Sequence, residues 1–184
     1  MKVTDFAEWQ GATAVWRGLF VDGTYVAETG IPVLVIRVKR DDAVFRSPDP
    51  STVGLPSGYG LYYDDALRDI RIVVFSTRCT HLCCFAGWHV VSEPPPSRDY
   101  ATFTSTPPPT YTVYGLDPIY CVCRGAQWDP MILEEGVHPS GARYIGALFV
   151  HGPAWGPLPV VVVRARADIL EGGMIDPRWY VYCE

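Results

Sequence analysis

The sequence predicts an all-β domain, and three observations carry that prediction. Its 184 residues include 17 glycines and 17 prolines, too many helix breakers for long helices. Its apolar residues gather in short, β-branched runs bounded by turn residues. Charged residues make up only 19% and apolar ones 48%, which excludes a disordered chain and leaves enough apolar surface for a core. The expected architecture is one domain over residues 1–184, built of stacked antiparallel sheets.

Taken in order, Leu19–Val26 reads as two short β-prone runs around Asp22-Gly23, a two-residue hairpin signal. Val33–Val38 is a continuous β-branched run that suits a buried strand. Residues 47–60 hold three prolines and three glycines and read as a loop. Asp64–Asp69 has room for one helical turn at most, and Ile70–Phe75 reads as a strand. His89 follows Trp88 in what reads as a further strand. Residues 92–119 carry the triplets Pro94–Pro96 and Pro107–Pro109, which favour extended backbone and mark an insertion. Tyr144–Val150 and Val160–Arg166 read as strands, separated by the proline-rich stretch 151–159.

Fifteen basic against twenty acidic residues give a net charge of −5, which leaves no basic footprint for nucleic acid. No run reaches the ~18–20 apolar residues of a spanning helix; Ile31–Ile36 and Leu158–Val163 are broken by Pro32 and Pro159. The first residues lack the basic-then-apolar order of a signal peptide. Either the chain is soluble as it stands or an upstream anchor has been removed.

Five of the six cysteines fall into two tight groups, at 79, 83 and 84 and at 121 and 123, and the sixth is Cys183. Cys79-Thr-His81-Leu-Cys83-Cys84 places sulfur and imidazole two residues apart on a loop, where both can face one metal centre. Cys121-Val-Cys123-Arg124-Gly125-Ala-Gln-Trp128-Asp129 offers a second thiolate. Two such loops describe zinc or an iron–sulfur cluster. The Cys-x-Cys spacing of the second loop suits a tetrahedral zinc poorly.

These motifs resemble the Rieske iron–sulfur proteins, in the disulfide-containing form of cytochrome bc complexes. That family carries Cys-Thr-His-x-x-Cys in its first loop and Cys-x-Cys-His-Gly-Ser-x-Tyr-Asp in its second. Cys79, His81 and Cys84 match the first loop; Cys121, Cys123, Gly125 and Asp129 match the second. His151-Gly-Pro-Ala154 looks like the family's proline loop, which covers one side of the cluster. The likeness spans roughly residues 70–163, with the two loops and their insertion at 76–130, and is nearest to archaeal versions.

The resemblance implies a [2Fe–2S] cluster with Cys79 and Cys121 on the inner iron and His81 on the outer. It implies a Cys84–Cys123 disulfide and hence an oxidising compartment, on the extracytoplasmic face of a membrane. It also implies a one-electron carrier within a bc-type quinol-oxidising complex. Its partners would be cytochrome b-type and other respiratory subunits, a cytochrome or copper-protein acceptor, and quinol. Cys83 stands where the family often has glycine, and a second disulfide with the leftover Cys183 is expected.

Arg124 breaks the match, because it stands at the second histidine ligand and is not expected to ligate: a guanidinium offers no lone pair. Three repairs are open. His89, His138 or His151 fills the position, with His151 best placed; water or hydroxide fills it; or no cluster is bound and the chain is a structural subunit on a Rieske-type fold. His89 is expected to be structural and His138 an exposed turn residue. Ala126 and Trp128 replace a serine and a tyrosine that bond cluster sulfurs in the family, a loss that lowers the potential, while a nearby cation raises it.

Overall fold

The computed structural model describes residues 1–21, 24–52, 54–89, 114, 118–139 and 141–173. The described part is almost entirely antiparallel β-structure, with two three-residue 3-10 turns, at Val3–Asp5 and Pro50–Thr52, as its helical elements. The insertion at 92–119 lies largely outside the described residues, as do the Asp22-Gly23 turn and Cys183.

Four strands form the first sheet: β1 (Gly11–Val21), β2 (Thr24–Val38), β3 (Tyr63–Asp65) and β4 (Ile70–Ser76), in the order β1-β2-β4-β3. The runs around Asp22-Gly23 extend into long paired strands rather than two short ones, and Val21 lies opposite Thr24. The Val33–Val38 run lacks polar alternation because both faces of its sheet are covered. Leu34 and Ile36 join Val73 and Phe75 in the main core, while Val33 and Val35 join Ile72 and Val74 against Val3, Phe6, Val161 and Val163.

Tyr63–Asp65 is a strand and residues 66–69 form a turn, where the sequence left room for one helical turn at most. Its acids face arginines across strands. The Arg71 guanidinium is buried and donates to Asp64 at 2.8 Å and Asp42 at 2.8 Å, and Arg40 donates to Asp64 at 3.1 Å. Phe45 closes over Arg71, its ring centroid 4.4 Å from the guanidinium carbon.

The second sheet contains β5 (Ala86–Trp88), β6 (Ile119–Cys121), β7 (Gln127–Val137), β8 (Arg143–His151) and β9 (Leu158–Pro159), in that order. Strand β7 was not foreseen. Its register slips between Asp129 and Leu133, where Pro130 supplies no N–H and Asp129 Oδ1 accepts from the Met131 amide at 2.9 Å. His89 is not in a strand: it follows the end of β5 with φ +54°.

The expected strand at Val160–Arg166 is divided, with only β10 (Val163–Arg166) paired to β11 (Ile169–Gly172). The residues before it join both large sheets. The amide of Val160 donates to Ile145 O at 2.9 Å, that of Val161 to Val74 O at 2.7 Å, and that of Val163 to Gly60 O at 2.8 Å. This clasp lies directly after the proline-rich stretch and fixes where it leaves the core. No helix among the described residues is long and apolar enough to cross a membrane.

Candidate metal centre

Two hairpin loops at one end of the second sheet meet face to face. The first runs from Cys79 to Cys84, closed by the Arg78–Phe85 bridge and by the Cys79 amide donating to Cys84 O at 2.9 Å. The second joins β6 to β7, closed by the Cys121 amide donating to Ala126 O at 2.8 Å. Each makes the same α-turn: Cys83 N–H bonds Cys79 O at 3.0 Å, and Gly125 N–H bonds Cys121 O at 2.9 Å. The fifth residue of each turn is left-handed, Cys83 at φ +57° and Gly125 at +74°. That conformation favours glycine, so Cys83 occupies a glycine-type position.

The turns aim backbone donors at sulfur. Cys79 accepts from the N–H groups of His81 and Leu82, and Cys121 from those of Cys123 and Arg124. Both thiols are buried, each 1% exposed, both are free, and they hydrogen-bond to each other. That mutual bond and burial push the Cys79 thiol far above its ordinary range. The same bond lowers Cys121 to about 6 against its burial, helped by its two backbone donors and the nearby His81. The pair therefore releases its first proton readily and holds the second, as coupled acids do.

A disulfide between Cys84 and Cys123, with Cα atoms 6.2 Å apart, ties the two loops together. Cys83 is also disulfide-bonded; its expected partner, Cys183, lies outside the described residues.

The stretch after β8 covers both loops. Gly152, at φ +100°, lies so close to the second loop that a Cβ would stand 2.6 Å from Ala126 Cα. The Gly156 carbonyl accepts from Thr80 Oγ1 of the first loop at 2.9 Å and from Trp128 Nε1 at 3.0 Å. Tyr144 OH donates to Pro157 O at 2.9 Å, anchoring the far side. Trp128 thus spends its N–H on the covering loop. Sequence reasoning missed Thr80, Tyr144 and the Gly156 carbonyl, because none belongs to a ligand motif. Gly152 before Pro153 was the one local signal.

The histidines separate clearly. His81 is half-buried on the first loop. His89 stacks on Trp88 with centroids 4.4 Å apart. His138 is buried at 8% exposure, contrary to the expected exposed turn, because the Trp155 ring packs edge-on at 5.0 Å. His151, half-buried, ends β8 opposite Gln127. Arg124 is exposed.

Among the described residues, no three His, Cys, Asp or Glu side chains gather closely enough to hold a single ion. Cys79 and Cys121 are brought together as two buried thiols, and His81 acts electrostatically on Cys121 without completing a three-residue metal-holding group among the described residues. The exposed Arg124 guanidinium offers no lone pair to a metal.

A scan against protein-family models finds none that matches the chain, and a search of curated proteins finds no match.

Proposed function

We propose that the two stapled loops hold a Rieske-type [2Fe–2S] cluster. On this reading the protein is a one-electron carrier subunit of a membrane-associated, bc-type quinol-oxidising complex. The observation that carries this is the pair of buried, free thiols, each met by two backbone N–H donors from its own turn. Such donors stabilise sulfur as an anion, the form that binds metal.

When bound, the cluster supplies reversible one-electron chemistry. The residues around it have separable tasks. Cys79 and Cys121 would hold the inner iron and His81 the outer. The Cys84–Cys123 bridge keeps the loops in register while the charge on the centre changes. Gly152–Gly156 shields one side from water, held by Thr80 and Trp128. The guanidinium of Arg124 offers no lone pair, so on this reading it would serve neither as an iron ligand nor as a base towards quinol.

The Cys84–Cys123 disulfide supports an oxidising compartment, and on this reading the chain would work at the extracytoplasmic face of a membrane and pass electrons to a cytochrome or copper protein. A second reading draws support from Arg124, exposed and without a donor atom: a structural or interaction subunit that keeps the stapled loops and binds no iron.

Anaerobic purification separates the two. The carrier is brown, contains iron and sulfide at about two each per chain, and shows an electron paramagnetic resonance signal when reduced. A colourless, iron-free protein sinks the carrier and leaves the structural subunit. Zinc in place of iron overturns both.

A further inference from the structure

Cys79 and Cys121 are the free cysteines among the described residues, and their thiols hydrogen-bond to each other across the loop interface. The backbone fixes that meeting. Val122 N–H donates to Phe85 O at 3.3 Å, Cys121 lies opposite Ala86, and Ala86 N–H donates to Thr77 O at 2.7 Å. The chain segments carrying the two thiols therefore run side by side. The Cys84–Cys123 bridge ties the same two loops covalently, so the sulfurs stay together while the loops are folded. Each sulfur also receives two backbone N–H groups, from His81 and Leu82 at Cys79 and from Cys123 and Arg124 at Cys121. Such donors favour the thiolate, the attacking form of sulfur.

We propose that Cys79 and Cys121 form a two-electron dithiol–disulfide couple in the metal-free chain, closing on oxidation into a further bridge between the loops. This couple is independent of the cluster reading: it applies to a chain that never binds iron and to a carrier before its cluster is in place. Both sulfurs are buried, so a bulky disulfide finds no exposed thiol with which to exchange. The oxidant that fits is a small peroxide, and hydrogen peroxide is close to water in size.

The Cys121 thiolate attacks one peroxide oxygen, the O–O bond breaks, and a sulfenic acid forms on Cys121 as hydroxide leaves. That hydroxide takes the Cys79 thiol proton and becomes water. The Cys79 sulfur then attacks the Cys121 sulfur, forming S–S as S–OH breaks. The departing hydroxide takes up the proton that Cys121 lost on becoming a thiolate. Two thiols and one peroxide thus give one disulfide and two waters, with two electrons passing from sulfur to oxygen. Contact between the thiols lets Cys79 close on the sulfenic acid before it is oxidised further.

The test uses full-length protein purified anaerobically with a chelator, with iron and sulfide measured on the same sample. A slight excess of hydrogen peroxide is added, and the protein is denatured and alkylated with iodoacetamide for mass measurement. The wild type should lose both alkylatable thiols together, recover them with a reductant, and form no adduct with dimedone, which traps sulfenic acid. In Cys84→Ser/Cys123→Ser protein the same treatment should join the peptides that carry residues 79 and 121. Cys79→Ser should stop at the sulfenic acid, giving a dimedone adduct on Cys121. Wild-type thiols that stay alkylatable overturn the couple, and so does oxidation of each sulfur separately to sulfinic acid, which means that the pair does not close. Closure in a chain that holds no iron however purified supports the couple while the carrier reading fails. Iron-binding protein whose stripped thiols do not close overturns the couple alone.

Discussion

Removing the bridge between the loops tests their mechanics without involving a metal. Cys84 is half-buried and Cys123 exposed, so replacing both by serine opens no core cavity. The effect should come from the unfolded chain, which regains the freedom of a 39-residue separation. For a closed loop of that size the entropy is about 13 cal/mol/K, or about 4 kcal/mol at 25 °C. The assay is urea unfolding of metal-free Cys84→Ser/Cys123→Ser protein against metal-free wild type. With a slope of roughly 2 kcal/mol/M, the midpoint should fall by about 2 M. The slope should also rise, because an uncrosslinked chain exposes more surface when unfolded. A midpoint shift below about 0.5 M would refute the reasoning and show that the covering loop holds the hairpins together unaided.

Thr80→Val keeps the side-chain shape and removes the hydroxyl bond to Gly156 O; urea unfolding should register a loss of about 1 kcal/mol. Gly152→Ala places a Cβ against the Ala126 backbone at φ +100°, and should cost more than about 2 kcal/mol and lower the bound iron measured after purification. In metal-free protein, the bond from Cys79 and the backbone donors lower the folded Cys121 thiol to about 6, against about 8.5 for an ordinary thiol. Between those values the unfolded chain binds the extra proton, so stability rises with pH there and is lost as pH falls through about 6. Above the ordinary thiol value the raised Cys79 reverses the slope, because the folded state then holds the proton. Urea midpoints across that range should show the maximum, and Cys121→Ser should remove the rising limb.

What could be read from the sequence was what depends on local pattern. Val33–Val38 and Ile70–Phe75 announce buried strands because a largely apolar, β-branched run, interrupted in each by one arginine, needs no partner to be recognised. The two cysteine loops are visible because tight turns fix their spacing within six residues. Strand β7 was hidden because Pro130 and Glu134-Glu135 interrupt its periodicity, and the slip between Asp129 and Leu133 absorbs the interruption. Tyr63–Asp65 was misread because its polarity is satisfied by Arg40 and Arg71, far away in sequence. His138 is buried by Trp155, a contact that no window of sequence contains. The sulfur-directed N–H groups were equally out of reach, since they depend on backbone conformation and not on residue type.

The construction of the loops also explains why the side chain at 124 is free to vary. The second loop is held by the Cys121–Gly125 turn, the Cys84–Cys123 bridge and the close approach of Gly152, none of which uses the side chain at 124. What residue 124 contributes to the thiol pair is its backbone N–H, and any residue except proline supplies that. A change of side chain here therefore leaves the hairpin and the thiol environment intact. Folding is decoupled from the side chain at this position. The sharpest consequence is that Arg124→His should leave the urea midpoint of the metal-free protein within about 0.5 kcal/mol of wild type while changing the spectrum of the cluster-containing form. A large change in the metal-free midpoint would mean that the Arg124 side chain supports the loop, and the decoupling would fail.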